Sequence, residues 1–440
     1  MARTSSLATH TDRLDGVLLH RALGLPLFLF FMWLMFQATF TLGKIPTEWI
    51  NGGFQWLTQM AGEWLPASSL RDLLTDGILS GVGSVASFLP NIILLFLFIS
   101  LFEDSGYMAR AAFLTDRAMH GIGLHGRAFI PLLMGFGCNV PAIMATRAME
   151  HPKDRLVTML INPFMSCSAR LPVFILFAGA FFQEKAGMVV FSLYLLGIAA
   201  ALMTALLLKK TLFRGISEPF VMELPPYRWP TARSVALHMW EKAVEFLKKM
   251  SGVILIGSVA IWFLQAYPRE VVLDWNPAEK IAAVEASLPD GAERQAAIQA
   301  IESAKATSEQ EHRFLGRMGR AIQPVFQPLG FDWRDSIALL TGFVAKEVVV
   351  STLGVLHGSG SKEKDPTGAG LQGRLSSAML PLTAYAFMVF TLLYTPCLAT
   401  IAVIRRESSG WRWPALTVGY GLLVAWVAAW AVQMMGRILV

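Results

Sequence analysis

The chain has 440 residues, of which 54% are hydrophobic and only 15% are charged, and its mean hydropathy is +0.51. A soluble domain carries about 25% charged residues, so this composition excludes an ordinary soluble protein and indicates a polytopic membrane protein. The net charge of +6 comes without a basic stripe interleaved with aromatic residues, which excludes a nucleic-acid-binding surface.

The N-terminus is polar and lacks the charged, apolar and small-residue pattern of a cleaved signal peptide. We therefore expect the first apolar segment to remain as a membrane helix. Lys and Arg favour the cytoplasmic side of membrane segments, so Arg13 and Arg21 predict a cytoplasmic N-terminus.

Apolar stretches long enough to cross a bilayer, about 20 residues as a helix, recur along the chain. The predicted spans are residues 22–43, 90–109 (which begins at Pro90), 186–208, 335–356, 378–404 and 413–436, with an interfacial segment at 45–69. Proline and glycine interrupt two further stretches, at 127–147 and 155–182. The fold class predicted is all-α, a polytopic helical membrane protein with broken or re-entrant helices.

Polar segments divide this pattern into six regions. They are a cytoplasmic lead-in (1–21), a first membrane helix with an interfacial segment (22–87), a first repeat (88–212), a linker with a membrane helix (213–267), a polar periplasmic insert (268–333) and a second repeat (334–440). Residues 357–375 are predicted to form a polar loop.

The three cysteines all lie beside helix-breaking residues within apolar sequence. Cys138 stands in GFGCNVPAIMATR, Cys167 in NPFMSCSARLPV and Cys397 in LLYTPCLATIAV. An odd number of cysteines in apolar sequence does not indicate a disulfide framework. Broken helices are tolerated within a bilayer only where the backbone is buried in protein or lines a cavity. Thiols at such breaks predict a place that handles a soft or borderline metal ion.

An internal repeat relates two of the broken regions. At a shift of 207 residues the matching pairs are Gly123/Gly330, Arg127/Arg334, Ile130/Ile337, Leu132/Leu339, Leu133/Leu340, Gly135/Gly342 and Phe136/Phe343, with Cys138 facing Ala345. At a shift of 230, Cys167 faces Cys397. The positions of the basic loops predict that the repeats are inverted. Inverted repeats place a transporter's substrate site at their interface near the midplane.

Long motifs in this order resemble a known family. FLPNIILLFLFISLFEDSGYMARAAFLTDR, GFGCNVPAIMATR, FMSCSARLPV, LLTGFVAKEVVVSTLG and LLYTPCLATIAVIRRE resemble the membrane region of the ferrous iron transport protein B (FeoB) family. The resemblance runs from about Thr11 to the C-terminus, and the two repeats correspond to the family's paired Gate domains. It implies uptake of Fe²⁺ across the bacterial inner membrane.

The sequence departs from the family at its start. Family members begin with a cytoplasmic G domain, whereas no G-x-x-x-x-G-K-[ST] phosphate loop occurs in this sequence. We therefore expect a permease portion that is not itself an enzyme, served by a fused or separate GTPase. The resemblance implies Fe²⁺ as substrate, no permanently bound cofactor, and as partners the membrane, the G domain, the small cytoplasmic protein FeoA and further copies of the chain.

Candidate Fe²⁺ ligands follow from the chemistry of a borderline ion, which accepts thiolate, carboxylate and amide oxygen. They are Cys138, Asn139, Cys397, Cys167, Glu103, Asp104 and Glu347. Cys138 with Asn139 is the preferred pair. The alternatives are a buried apolar role for each cysteine, an interfacial helix end for Glu103 and Asp104, and structural pairing for Lys346 and Arg170.

Two other functions compete with iron transport. A Gate-type transporter of another small substrate, such as a nucleoside, would need aromatic and hydrogen-bonding groups for the base. An intramembrane cysteine enzyme would need a histidine base near a thiol, but all eight histidines lie in predicted loops or near segment ends.

Overall fold

A computed structural model of the chain describes residues 11, 15–20, 23–66, 68–213, 227, 230–269, 275–287, 291–357 and 369–439. These residues form helices, turns and irregular connections, with no β-strand among them. Within them, five helical segments are long and apolar enough to cross a membrane: Gly24–Trp64, Ser69–Asp104, Pro152–Thr211, Pro381–Glu407 and Arg412–Arg437. The chain is an all-α polytopic membrane protein, which confirms the predicted fold class.

Eighteen α-helical segments follow one another along the described chain. They are α1 (Gly24–Trp64), α2 (Ser69–Asp104, with a π-helical turn at Leu73–Leu79), α3 (Tyr107–His120), α4 (Phe129–Gly135), α5 (Asn139–Ala145), α6 (Pro152–Ile161), α7 (Leu171–Phe182), α8 (Ala186–Thr211), α9 (Ala232–Ala266), α10 (Pro277–Ser287), α11 (Ala292–His312), α12 (Phe314–Phe326), α13 (Trp333–Val344), α14 (Val348–Leu356), α15 (Ala369–Ala378), α16 (Pro381–Leu393), α17 (Leu398–Glu407) and α18 (Arg412–Leu439).

The first two helices are longer than the sequence predicts. α1 continues through Pro46 and α2 through Pro90, although the sequence places a boundary near each proline. Membrane helices tolerate such prolines because neighbouring groups satisfy the backbone that they release. Here the Thr47 hydroxyl donates to the Ser87 carbonyl at 3.0 Å, which ties α1 to α2 beside both prolines. The two predicted boundaries are therefore wrong.

The predicted helix breaks are present at the cysteines. α4 ends before Cys138 and α5 begins after it, α6 and α7 are separated around Cys167, and α16 ends before Cys397. The predicted span at 335–356 is not one helix, because α13 ends at Val344 and α14 begins only at Val348.

Two compact units make up the structure. The first contains the chain up to Ser168 together with Gly197–Ile256 and Ala399–Thr417. The second contains Ala169–Leu196, Gly257–Leu398 and Val418–Val440. Each predicted repeat therefore contributes helices to both units, and the division of the chain into six regions stays a prediction.

Three pairs of positions support the repeat at the level of the backbone. Gly123 and Gly330 are both left-handed, with φ of 75° and 78°. Cys138 (φ −154°, ψ 130°) and Ala345 (φ −147°, ψ 125°) share one extended conformation. The chain passes from the first unit to the second after Ser168, and from the second to the first after Leu398. Ser168 and Leu398 are equivalent positions at the predicted shift of 230. The inverted orientation of the repeats stays a prediction.

Polar segments outside the broken regions form helices. The predicted insert, 268–333, contains α10, α11 and α12. The predicted loop at 357–375 is helical from Ala369, where α15 begins, while 358–368 lie outside the described residues. Most of the predicted lead-in and the first part of the predicted linker, 214–226, also lie outside them.

Candidate metal centre

The break between α4 and α5 holds Cys138 directly before α5. The Cys138 N–H donates to the carbonyl of Met134 at 3.0 Å, and its backbone is extended. Gly137 has no room for a side chain, because a Cβ there would lie 2.8 Å from the Phe36 ring. The glycine thus lets α1 cover the break, and irregular backbone at membrane depth must be buried in protein in this way.

A second break brings Cys167 to the same place in the first unit. Cys167 lies between two 3₁₀ turns, Asn162–Phe164 and Ser168–Arg170. Ser168 donates to the carbonyl of Gly137 twice, from its N–H at 3.3 Å and from Oγ at 3.0 Å. Cys138 directly follows Gly137 and Cys167 directly precedes Ser168. The two thiol-bearing residues therefore lie on either side of the Gly137–Ser168 contact.

Asn139 supplies a buried oxygen at this position. The residue is 5% exposed, and its Oδ1 has no hydrogen-bond partner among the described residues. The Oγ of Ser166, next to Cys167, is also buried without one. An unsatisfied buried polar group costs about 1–3 kcal/mol. Because carbonyl-type oxygens bind divalent cations, an ion at this break would satisfy Asn139 and fits the thiols beside it.

The two adjacent carboxylates also lie in the first unit, at the end of α2. Glu103 and Asp104 are the last residues of α2; Glu103 is exposed and Asp104 is half-buried. The hydroxyl of Ser234 donates to Asp104 Oδ2 at 3.1 Å. They therefore lie at a helix end, as the interfacial alternative expects. Their role as ligands stays a prediction.

Cys397 lies at a third break, in the second unit. It directly precedes α17, after the irregular residues Tyr394–Pro396, and it is half-buried. The Thr395 carbonyl in this break accepts a hydrogen bond from Lys346 Nζ at 2.8 Å. The same ammonium lies 3.1 Å from the centroid of the Tyr394 ring, as a cation–π contact.

The second repeat carries a fixed cation where the first carries an amide. At the shift of 207, Lys346 is equivalent to Asn139 and Ala345 to Cys138. Lys346 is 2% exposed, and Thr395, which accepts its hydrogen bond, lies in the same unit. Glu347 follows it directly before α14 and is half-buried. A buried ammonium repels a metal cation strongly. The second break therefore does not reproduce the donor set of the first, and the role of Glu347 as an ion ligand stays a prediction.

One polar cluster was missed from sequence. Asp116, His120 and His125 offer donor atoms within 4.8 Å of one another, at the junction of α3 and the turn before α4. The four-residue spacing of Asp116 and His120 could have predicted two of the three donors, because it places both side chains on one face of a helix. His125 could not be added to them, because its position depends on how the chain turns after α3.

Two family models match the chain. A family model named Gate, described as "Nucleoside recognition", matches residues 85–181 and 247–411, more than half of the chain. A second model, described as "Ferrous iron transport protein B C terminus", matches residues 190–242. The chain belongs to the Gate family, as a FeoB membrane region. The predicted resemblance is thereby confirmed.

Curated FeoB relatives match nearly the whole chain. A Porphyromonas gingivalis protein named Fe(2+) transport protein A/Fe(2+) transporter FeoB fusion protein is 49% identical over 98% of this chain and 52% of its own length. Proteins named Fe(2+) transporter FeoB from Campylobacter jejuni and Methanocaldococcus jannaschii are 43% and 39% identical, over 90% and 100% of this chain. This chain covers 61% of each of those two. It therefore spans about half to three fifths of their length. No solved structure matches the chain.

Proposed function

We propose that this FeoB membrane region is the permease part of an Fe²⁺ uptake system, importing the ion across the bacterial inner membrane with its N-terminus in the cytoplasm. The observation that carries the proposal is the joined pair of breaks in the first unit, where two thiol-bearing residues flank the Gly137–Ser168 contact beside the unsatisfied oxygen of Asn139. The relatives are named as Fe²⁺ transporters, which supports this ion as the substrate.

The ion would lose water as it enters the break. Cys138 would bind as thiolate, because metal ligation by cysteine releases its proton. Asn139 would supply the amide oxygen, and Cys167 and Ser166 are the next donors along the second break. The fixed ammonium of Lys346 would repel cations from the equivalent position of the second repeat. Only the first repeat would therefore bind Fe²⁺.

GTP hydrolysis would belong to a G domain outside this sequence, fused or separate, and the chain itself would not be an enzyme. FeoA is proposed as a partner because the Porphyromonas gingivalis relative is named as a fusion of transport protein A with FeoB. Self-association into a homo-oligomer stays a prediction.

The alternative cargo is a nucleoside, which the description of the Gate model raises. The names of the full-length relatives do not favour it. The donors at the joined breaks are thiols, an amide and a hydroxyl, which suit a metal ion better than a nucleobase.

Uptake measurements separate these functions. In cells that lack their own importer and express the chain with a FeoB G domain, ⁵⁵Fe²⁺ should accumulate and labelled nucleosides should not. Cys138→Ser should lower the initial rate at least about tenfold at equal abundance, a loss of about 1.4 kcal/mol. Met159→Leu, a buried change in α6, serves as the control and should keep the rate. Nucleoside uptake, or unchanged iron flux in Cys138→Ser, would contradict the proposal.

A further inference from the structure

A cluster of side chains that can ligate a metal ion lies where α3 ends and the chain turns toward α4. It does not include the thiols of Cys138 and Cys167, which form the proposed thiol site. Asp116 and His120 are four residues apart on α3, which places them on one face of the helix. The chain then reverses through Gly123, whose φ of 75° is left-handed and suits glycine. The reversal returns His125 to the same face, so the donor atoms of the three side chains lie within 4.8 Å of one another.

The turn that carries His125 is held rigidly. Asp116 Oδ1 accepts a hydrogen bond from the Gly126 N–H at 2.7 Å. A Cβ on Gly126 would overlap the Ala112 carbonyl, so the turn packs directly on the backbone of α3. Asp116 uses one oxygen for this contact, and a carboxylate accepts through both.

His125 is oriented as a metal-binding histidine usually is. Its Nε2 lies 3.1 Å from Asp154 Oδ2, and Asp154 is itself paired with Lys209. Histidines that bind a metal through one ring nitrogen commonly donate the other N–H to a carboxylate, which fixes the tautomer and the ring orientation. With its proton on Nε2, the ring offers the lone pair of Nδ1.

Exposure leaves an open path to the cluster. His125 is 4% exposed, Asp116 is half-buried and His120 is exposed. Two imidazoles and one carboxylate are the donor set that first-row divalent transition metals prefer, with remaining positions for water. The contacts with Gly126 and Asp154 account for one oxygen of Asp116 and one nitrogen of His125, but they do not explain why His120 also lies close to both residues.

We propose that Asp116, His120 and His125 form a binding site for a divalent transition-metal ion, separate from the thiol site at Cys138. Bond lengths of about 2.0–2.2 Å to nitrogen and oxygen require the donors to close by small side-chain rotations, which the exposed His120 can make. The ion would join the end of α3 to the turn that leads into α4. It would thereby fix the start of the half-helix that ends at the Cys138 break.

The test uses the full chain without its thiols, so that the outcome does not depend on the proposed transport site. Purified untagged Cys138→Ser/Cys167→Ser/Cys397→Ser protein in detergent is titrated with Co²⁺ and followed by its visible absorption. One ion should bind through nitrogen and oxygen ligands. His120→Ala in this background should weaken binding at least about tenfold, and Asp116→Asn, which keeps an acceptor for Gly126, should do the same.

His312→Ala is the matched control, since His312 lies in the second unit on α11 and should leave the titration unchanged. Equal melting temperatures of the variants would show that lost binding is not lost folding. The site is overturned if the thiol-free chain binds no Co²⁺, or if His120→Ala and His312→Ala bind it equally well. Loss of iron uptake in Cys138→Ser has no bearing on either result.

Discussion

Ser168 donates two hydrogen bonds to one acceptor, the carbonyl oxygen of Gly137, from its N–H at 3.3 Å and from its hydroxyl at 3.0 Å. The two residues are 31 positions apart and each lies in a broken helix. Proline and glycine at these breaks release backbone groups that need partners. The paired contact supplies them and holds Cys138 and Cys167 on either side.

Ser168→Ala removes only the hydroxyl contact of this pair. We expect a loss of about 1 kcal/mol of stability, because the N–H bond remains and a single hydrogen bond contributes about that much. We also expect a severalfold lower rate of ⁵⁵Fe²⁺ uptake, because the two thiols lose their fixed spacing. Thermal unfolding in detergent and uptake at equal abundance measure both. Ser168→Thr keeps the hydroxyl and serves as control; wild-type behaviour of Ser168→Ala would show that the contact does not matter.

Asn139→Leu tests whether the unsatisfied oxygen serves an ion. Replacing an unpartnered buried polar group by an apolar one of similar size is neutral or stabilising, so the metal-free protein should melt at or above the wild-type temperature. Iron uptake should nevertheless fall at least about tenfold, or about 1.4 kcal/mol. A protein that is both less stable and equally active would mean that Asn139 is a structural residue.

Lys346→Met should destabilise the second unit by about 1–3 kcal/mol. The substitution leaves the buried Thr395 carbonyl without its donor and removes the contact with the Tyr394 ring. Lys305→Met is the matched control, because Lys305 makes only a partly exposed pair with Glu309 at 3.9 Å, and such pairs contribute about 0–1 kcal/mol. Equal melting temperatures for the two variants would contradict the role given to Lys346.

The stability of the protein should depend on pH through His357, just beyond α14. Burial, followed by the nearby charges of Arg334 and Arg374, lowers the pKa of His357 below its ordinary value of 6.5. The unfolded chain then binds a proton that the folded protein does not. Stability is therefore complete above about pH 6.5 and falls as the pH drops below that value.

His357→Gln should flatten this part of the melting-temperature profile between about pH 7 and pH 5. His312→Gln serves as the control, since His312 is a partly buried histidine of the same unit. If both substitutions change the slope equally, His357 is not the group responsible.

Much of the fold and part of the site could be predicted from local pattern. Proline and glycine next to the thiols predicted the breaks at Cys138, Cys167 and Cys397, because backbone restrictions act within a few residues. The boundaries near Pro46 and Pro90 were predicted wrongly, since packing of α1 on α2 overrides the local cost of proline. The break at 345–347 was missed because apolar composition alone does not reveal it.

The sequence by itself determined the class of protein, the broken helices, the repeat and the family, since hydropathy, residue spacing and long motifs are properties of the linear chain. Only the tertiary structure decided that Ser168 bonds to Gly137, that Asn139 Oδ1 has no partner among the described residues, and that Lys346 donates to the Thr395 carbonyl. It also decided that His125 returns to Asp116 and His120. Hydrogen-bond and ligand geometry requires atoms to meet within a few ångströms, and residues distant in sequence meet only once the helices have packed.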